Sequence, residues 1–99
     1  MKIQIHSLKF DADQKLLDFI ENKVSKLAHM NDSLMGAEVF LRLDKSDVQE
    51  NKITEIKLEL PGTSLFAKKQ CKTFEEATDQ AVDALKKQIT KQKEKTRKA

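Results

Sequence analysis

The sequence predicts an α+β domain of order β-α-β-β-β-α, with a four-stranded mixed sheet and two helices packed on one of its faces. Three observations carry this. Four short segments alternate apolar and polar residues with period two, two longer segments repeat apolar residues at helical spacing, and turn chemistry separates them. The 99-residue chain, 38% hydrophobic, suits one compact domain with one small core, read as a single unit over 1–99 with about 96–99 fraying.

In the first segment, KIQIHSL (residues 2–8), Ile3 and Ile5 share one face and Gln4 and His6 the other, as in a half-buried strand. Within DADQ, either Asp11 or Asp13 can serve as an N-cap. Beyond it Leu16, Leu17, Ile20, Val24, Leu27 and Ala28 form one stripe, which predicts a helix to about Met30. NDSLMG breaks that helix, with Gly36 as the expected turn residue. AEVFLRL (37–43) is the second strand, with Val39, Leu41 and Leu43 on one face.

After the polar connection DKSDVQENK, ITEIKLEL (53–60) places Ile56, Leu58 and Leu60 together. Pro61-Gly62 is a turn dipeptide, because proline presets φ at the first central position and glycine supplies positive φ at the second. SLFAKKQC follows as the fourth strand, with Leu65, Ala67 and Cys71 inward. Thr73-Phe74-Glu75-Glu76 reads as a capping box, and Ala77, Ala81, Val82, Leu85 and Ile89 mark the buried stripe of the second helix. Strand-helix-strand is most simply a right-handed parallel crossover, and the shorter links that follow give antiparallel pairs.

Charge separates along the chain. Residues 86–99 hold seven basic residues against Glu94 alone, a balance of +6, while the preceding 85 residues sum to −3. Charge alone leaves two readings open, a solvated basic tail or a polyanion-binding element. The second helix decides for an extended helix: Glu75, Glu76, Asp79 and Asp83 lie near its start and the lysines near its end, as the helix dipole prefers.

At 100° per residue, Lys15, Asn22, Lys26 and His29 line the outer side of the first helix, with Lys23 at its flank. On the second helix Lys87, Lys91 and Lys98 share a stripe with Glu94, bordered by Lys86 and Lys95; Lys93 adds to the same basic segment. With both helices on one face of the sheet, these residues are expected to form one basic ridge-and-groove surface. Lysines one or two turns apart, about 5–11 Å, suit a phosphate backbone. Few side chains suited to reading bases accompany them beyond Asn22 and Gln88, so recognition of RNA shape and backbone is expected, not of a base sequence.

Other classes receive less support. Phe40 and Phe66 point to the sheet face away from the helices. Such rings suit base stacking, yet no RNP-type motif surrounds them, and the simpler expectation is that they cover that face or touch another molecule. His6 and His29 do not form a metal pair, and Cys71, the single cysteine, lacks an evident base. No catalytic constellation, metal site, cofactor motif or small-molecule site is found, so a non-enzyme is expected. No apolar run spans a membrane and the N-terminus does not read as a signal peptide; a lone thiol fits a reducing cytoplasm.

With these elements in place, the whole chain resembles the ribosome hibernation-promoting factor family. In the second helix Asp79, Asp83, Leu85, Gln88, Thr90, Lys91, Lys93 and Lys95 match the family's run. In the first, Phe19, Lys23, Lys26 and Leu27 match its F-x₃-K-x₂-K-L pattern, and Pro61-Gly62 stands at a family turn. Thr73 stands where many relatives have an N-cap Asp, Cys71 where Gly is common, Glu75 where an aromatic is frequent, and Ala84 where Lys is frequent. The chain stops after the basic helix, without the acidic, aromatic-containing tail or second dimerising domain of other members, and so looks like a short form.

The resemblance implies a cytoplasmic stress- or stationary-phase factor that binds the small ribosomal subunit and its rRNA. It implies occlusion of mRNA and of the A- and P-site tRNA positions, inhibition of translation and inactive ribosomes, dimers in particular, often with a second small hibernation factor as partner. The binding residues expected are Lys15, Asn22, Lys23, Lys26, His29, Lys86, Lys87, Lys91, Lys93 and Lys95. The alternatives are a general structured-RNA-binding module, since double-stranded-RNA-binding domains share this α+β build, and a small protein-interaction domain using the Phe40/Phe66 face.

Overall fold

A computed structural model describes residues 1–45 and 49–98, with side chains described through Gln92. Its elements are β1 (Lys2–Ser7), α1 (Gln14–Ser25), a 3₁₀ turn (Lys26–His29), β2 (Gly36–Leu43), β3 (Lys52–Leu60), β4 (Thr63–Cys71) and α2 (Phe74–Lys98). The order of elements is the predicted β-α-β-β-β-α. The sheet runs β1-β2-β3-β4, with β1 parallel to β2 and the other pairs antiparallel.

The period-two segments become strands because one parity meets the helices. Across the sheet, Ile5, Val39, Ile56 and Ala67 occupy one row, and Ile3, Ala37, Leu58 and Leu65 the next. Against these rows pack Leu16, Ile20, Val24 and Leu27 from the first helical segment and Phe74, Ala81, Val82, Leu85 and Ile89 from α2. Both helices therefore cover the same sheet face. Leu43, on the inward parity of β2, is exposed because it lies at the strand's end, beyond the helices.

Local chemistry sets the helix starts. Asp13, not Asp11, caps α1: its carboxylate accepts from Leu16 N at 2.8 Å. The Thr73 hydroxyl accepts from Glu76 N at 3.1 Å, which is one half of the capping box. Pro61-Gly62 forms the β3–β4 turn, with Gly62 at φ 76°.

Two expectations are corrected. Gly36 is not the turn residue after α1. It opens β2, paired with Lys2 on one side and Glu59 on the other, and a Cβ there would lie 3.1 Å from the Lys2 carbonyl oxygen. Close approach of the parallel β1 backbone, not a turn, explains the glycine. The first helix also does not run in α geometry to Met30, because after Ser25 it tightens into the 3₁₀ turn.

A buried polar contact joins sheet to helix: Thr54 Oγ1 of β3 and Thr78 Oγ1 of α2 lie 3.4 Å apart, both residues fully inaccessible. Two further contacts position α2. Lys23 Nζ of α1 meets Asp79 Oδ1 at 3.0 Å. Gln88 Nε2 donates to the Phe66 carbonyl of β4 at 2.9 Å. One flank of α2 therefore faces α1 and the opposite flank faces the edge of β4.

Candidate nucleic-acid interface

These two marker contacts allow the cations to be placed around α2. Lys86 lies seven residues past Asp79, two turns on, and so shares the flank facing α1. Lys91 lies within about 60° of Gln88, on the side turned toward β4, while Lys87, about 80° from Asp79 and 100° from Gln88, stands on the outward side between the two flanks. Between the flanks runs a crest of Glu76, Asp83 and Thr90, all exposed. On α2, Lys86 and Lys91 thus lie on opposite flanks with Lys87 between them, and the crest carboxylates Glu76 and Asp83 precede all three along the helix.

The 3₁₀ turn rearranges α1. In that geometry residues three apart eclipse each other, so His29 sits directly beyond Lys26. Both are exposed and lie on the side of α1 that Lys23 shows to be turned toward α2. Lys26, His29 and Lys86 therefore border one interhelix groove. Lys23 lies in the same groove but is already paired with Asp79, and its ammonium also sits 5.6 Å from the Phe19 ring centre. Lys15 and Asn22 are exposed along the outer line of α1, where Asp18 joins them, and Glu21 takes the flank away from α2. The side chains of Lys93 and Lys95 lie outside the described residues.

Part of the charge on the opposite side of the sheet is paired. There, Arg42 Nη2 meets Glu55 Oε2 at 2.7 Å and Lys57 Nζ meets Glu59 Oε1 at 3.3 Å. By contrast, among the described residues no ion pair involves Lys15, Lys26, Lys86, Lys87 or Lys91. Cations without protein partners retain their charge for a polyanion, whereas paired ones have spent much of it locally.

The open sheet face matches the sequence reading in its aromatics. Phe40 stacks on His6 with ring centres 4.9 Å apart, and Phe66 is 51% exposed. The Glu38 carboxylate lies 3.3 Å from His6 Nε2, without the alignment of a hydrogen bond. Part of the charge on this face is compensated in pairs, while Lys68, exposed there, has no ion pair among the described residues.

Gln88 is not a free polar reader; its amide is committed to the β4 backbone. Cys71 is buried at the end of β4, and burial first, then the nearby Glu76 and Glu50 carboxylates, pushes its thiol pKa up. Such a thiol stays protonated at neutral pH and is a poor nucleophile. Among the described residues no group of three or more His, Cys, Asp or Glu side chains is placed to hold a metal ion. None of the helices among those residues is long and apolar enough to cross a membrane.

The residue that sequence reasoning passed over is Lys69. It occupies the inward parity of β4 between Ala67 and Cys71, both buried, yet is itself exposed. The break in alternation was visible in the sequence. That it falls on an edge strand beside α2 was not.

Comparison with known proteins agrees with this architecture. Residues 3–97 match the family model described as sigma 54 modulation protein / S30EA ribosomal protein. Among solved structures, a ribosomal subunit interface protein from Coxiella burnetii superposes with a TM-score of 0.83 at 22% identity, over 94% of this chain and 98% of that one. The N-terminal domain of Protein Y from Thermus thermophilus gives 0.78 at 25% identity, over 92% and 98%. Comparison with curated protein sequences returns no match. A family model spanning nearly the whole chain, on a fold with this order of elements, assigns the protein: it belongs to the sigma 54 modulation / S30EA ribosomal protein family, the hibernation-promoting factor family that its sequence resembles.

Proposed function

We propose that this protein is a ribosome hibernation factor. It docks its helical side on small-subunit rRNA, and its volume excludes mRNA and the A- and P-site tRNAs, so that translation stops without any chemical step. The observation that carries the reading is the gathering of charge on the helical side: Lys26 of α1 and Lys86, Lys87 and Lys91 of α2 are exposed there with no ion pair among the described residues, while Arg42 and Lys57 on the open sheet face are paired. Membership of a family described as a ribosomal protein supports rRNA as the polyanion.

Size and stiffness support occlusion. The chain has a radius of gyration of 13.9 Å and is 47 Å in its longest dimension. Its helices are tied to the sheet through one core, so little ordering entropy is lost on docking. Inactive ribosome dimers, assisted by a second small hibernation factor, are the outcome proposed for such docking, and the cytoplasm is the compartment.

The direct test is co-sedimentation with small subunits on a sucrose gradient. The double substitution Lys87→Glu, Lys91→Glu is expected to remove the protein from the subunit fraction while its circular dichroism stays that of the wild type. Wild-type co-sedimentation of the double variant would overturn the reading.

A further inference from the structure

We propose that the edge of β4 carries a second phosphate-binding row, formed by Lys69 together with Lys91, so that α2 lies between two separate stretches of nucleic-acid backbone. The inference rests on the reading of the protein as a binder of ribosomal RNA and adds to it a residue, Lys69, and a geometry.

The placement follows from register. Lys69 stands opposite Thr54, and Thr54 meets Thr78 of α2; three residues earlier on β4, the Phe66 carbonyl meets Gln88. β4 from Lys69 to Phe66 therefore runs beside α2 from about Thr78 to Gln88. The side chain of Lys69 leaves the sheet on its helix-covered side but remains exposed, since no further strand lies beyond β4. That is the flank toward which Lys91 is turned. From the level of Thr78 to Lys91 is about 20 Å along the helix, a run spanning several phosphates. No ion pair among the described residues involves Lys69 or Lys91.

The other row is the interhelix groove, with Lys26, His29 and Lys86. The two rows are separated by roughly the width of a helix with its side chains, 10–12 Å, and the crest between them holds Glu76 and Asp83. A phosphate backbone lying along the first half of that crest would meet carboxylates. Of two backbones, one on each side, the one in the groove would meet Lys26, His29 and Lys86 beside an Asp79 already paired with Lys23, and the other would meet Lys69 and Lys91. The acidic first half of the crest thus favours seating α2 between strands over draping one backbone along the helix.

The test compares neighbouring lysines that differ only in the face they occupy. Lys69→Glu and Lys68→Glu change the net charge equally on adjacent residues, but Lys68 points to the open sheet face, opposite Glu55. Binding is titrated against salt on small subunits and on an RNA duplex of several helical turns. Lys69→Glu is expected to weaken binding and to lower the steepness of log K against log salt by about 0.7–0.9, the loss of one phosphate contact. Lys68→Glu is expected to keep the wild-type slope, and Lys69→Gln should show the slope change without charge reversal. Equal slopes for Lys69→Glu and Lys68→Glu would overturn the second row. Wild-type binding to duplex but not to subunits would overturn the ribosome reading alone, since the two rows remain measurable on the duplex; binding to neither would overturn both.

Discussion

Thr54 and Thr78 form the one side-chain pair among the described residues in which two polar residues are both fully buried. Each hydroxyl has replaced water with the other, so the pair is worth little as a unit but is costly to break. Removing one hydroxyl leaves its partner unsatisfied, at about 1–3 kcal/mol, whereas removing both leaves an apolar contact of similar shape. Thr78→Val should therefore lower the free energy of unfolding in urea by that amount, and the double Thr54→Val, Thr78→Val variant should return most of it. Equal destabilisation by the single and double variants would show that packing, not hydrogen bonding, sets the cost. Thr54 was legible in the sequence only as a polar interruption in an aliphatic strand. Its partner, 24 residues away, was not legible, because nothing local marks Thr78 as inward-bonded.

At the scale of elements, the start of α1 shows how far local chemistry reaches. DADQ offers two possible caps, and only the path of the chain from β1 decides which aspartate can reach a free backbone N–H. Asp13 does so, through Leu16 N. Asp13→Ala is expected to cost about 1 kcal/mol in thermal or urea unfolding, while Asp11→Ala stays within about 0.5 kcal/mol of wild type. The reverse ranking would mean that the cap is misassigned. The other end of the same helix escaped the periodicity reading. A 3₁₀ turn keeps Leu27 buried, as an α-helix would, so the apolar pattern does not distinguish the two, but it moves His29 into line with Lys26. Likewise Gly36 looked like a turn residue because glycine in a polar stretch normally is one. Its reason, the nearness of the Lys2 carbonyl, exists only once β1 and β2 pair.

For the whole molecule the governing quantity is the field of its unpaired cations. A protein of formal charge +3 is not strongly basic, and paired charges on the open sheet face add little to its field at a distance. If roughly four to six phosphates are neutralised on the helical side, log K for small-subunit binding should fall with log salt at a slope of about −3 to −5. A slope near zero would refute the electrostatic account, whatever the affinity at one salt concentration. The Lys69 comparison then asks how that slope is divided between the two flanks of α2.

The sequence by itself determined the order of elements, the buried stripes, the turn at Pro61-Gly62 and the extension of the second helix. These depend on period, capping and dipole, all of which act over a few neighbouring residues. It also carried the family pattern and most of the candidate cations. The tertiary structure alone decided which cations have ion-pair partners among the described residues, that Lys86 and Lys91 lie on opposite flanks of α2, and that Lys69 stands exposed on the edge strand beside that helix. Ion pairing and the sharing of a surface depend on distances between elements, and helical angles fix directions on one helix but not what lies beside it.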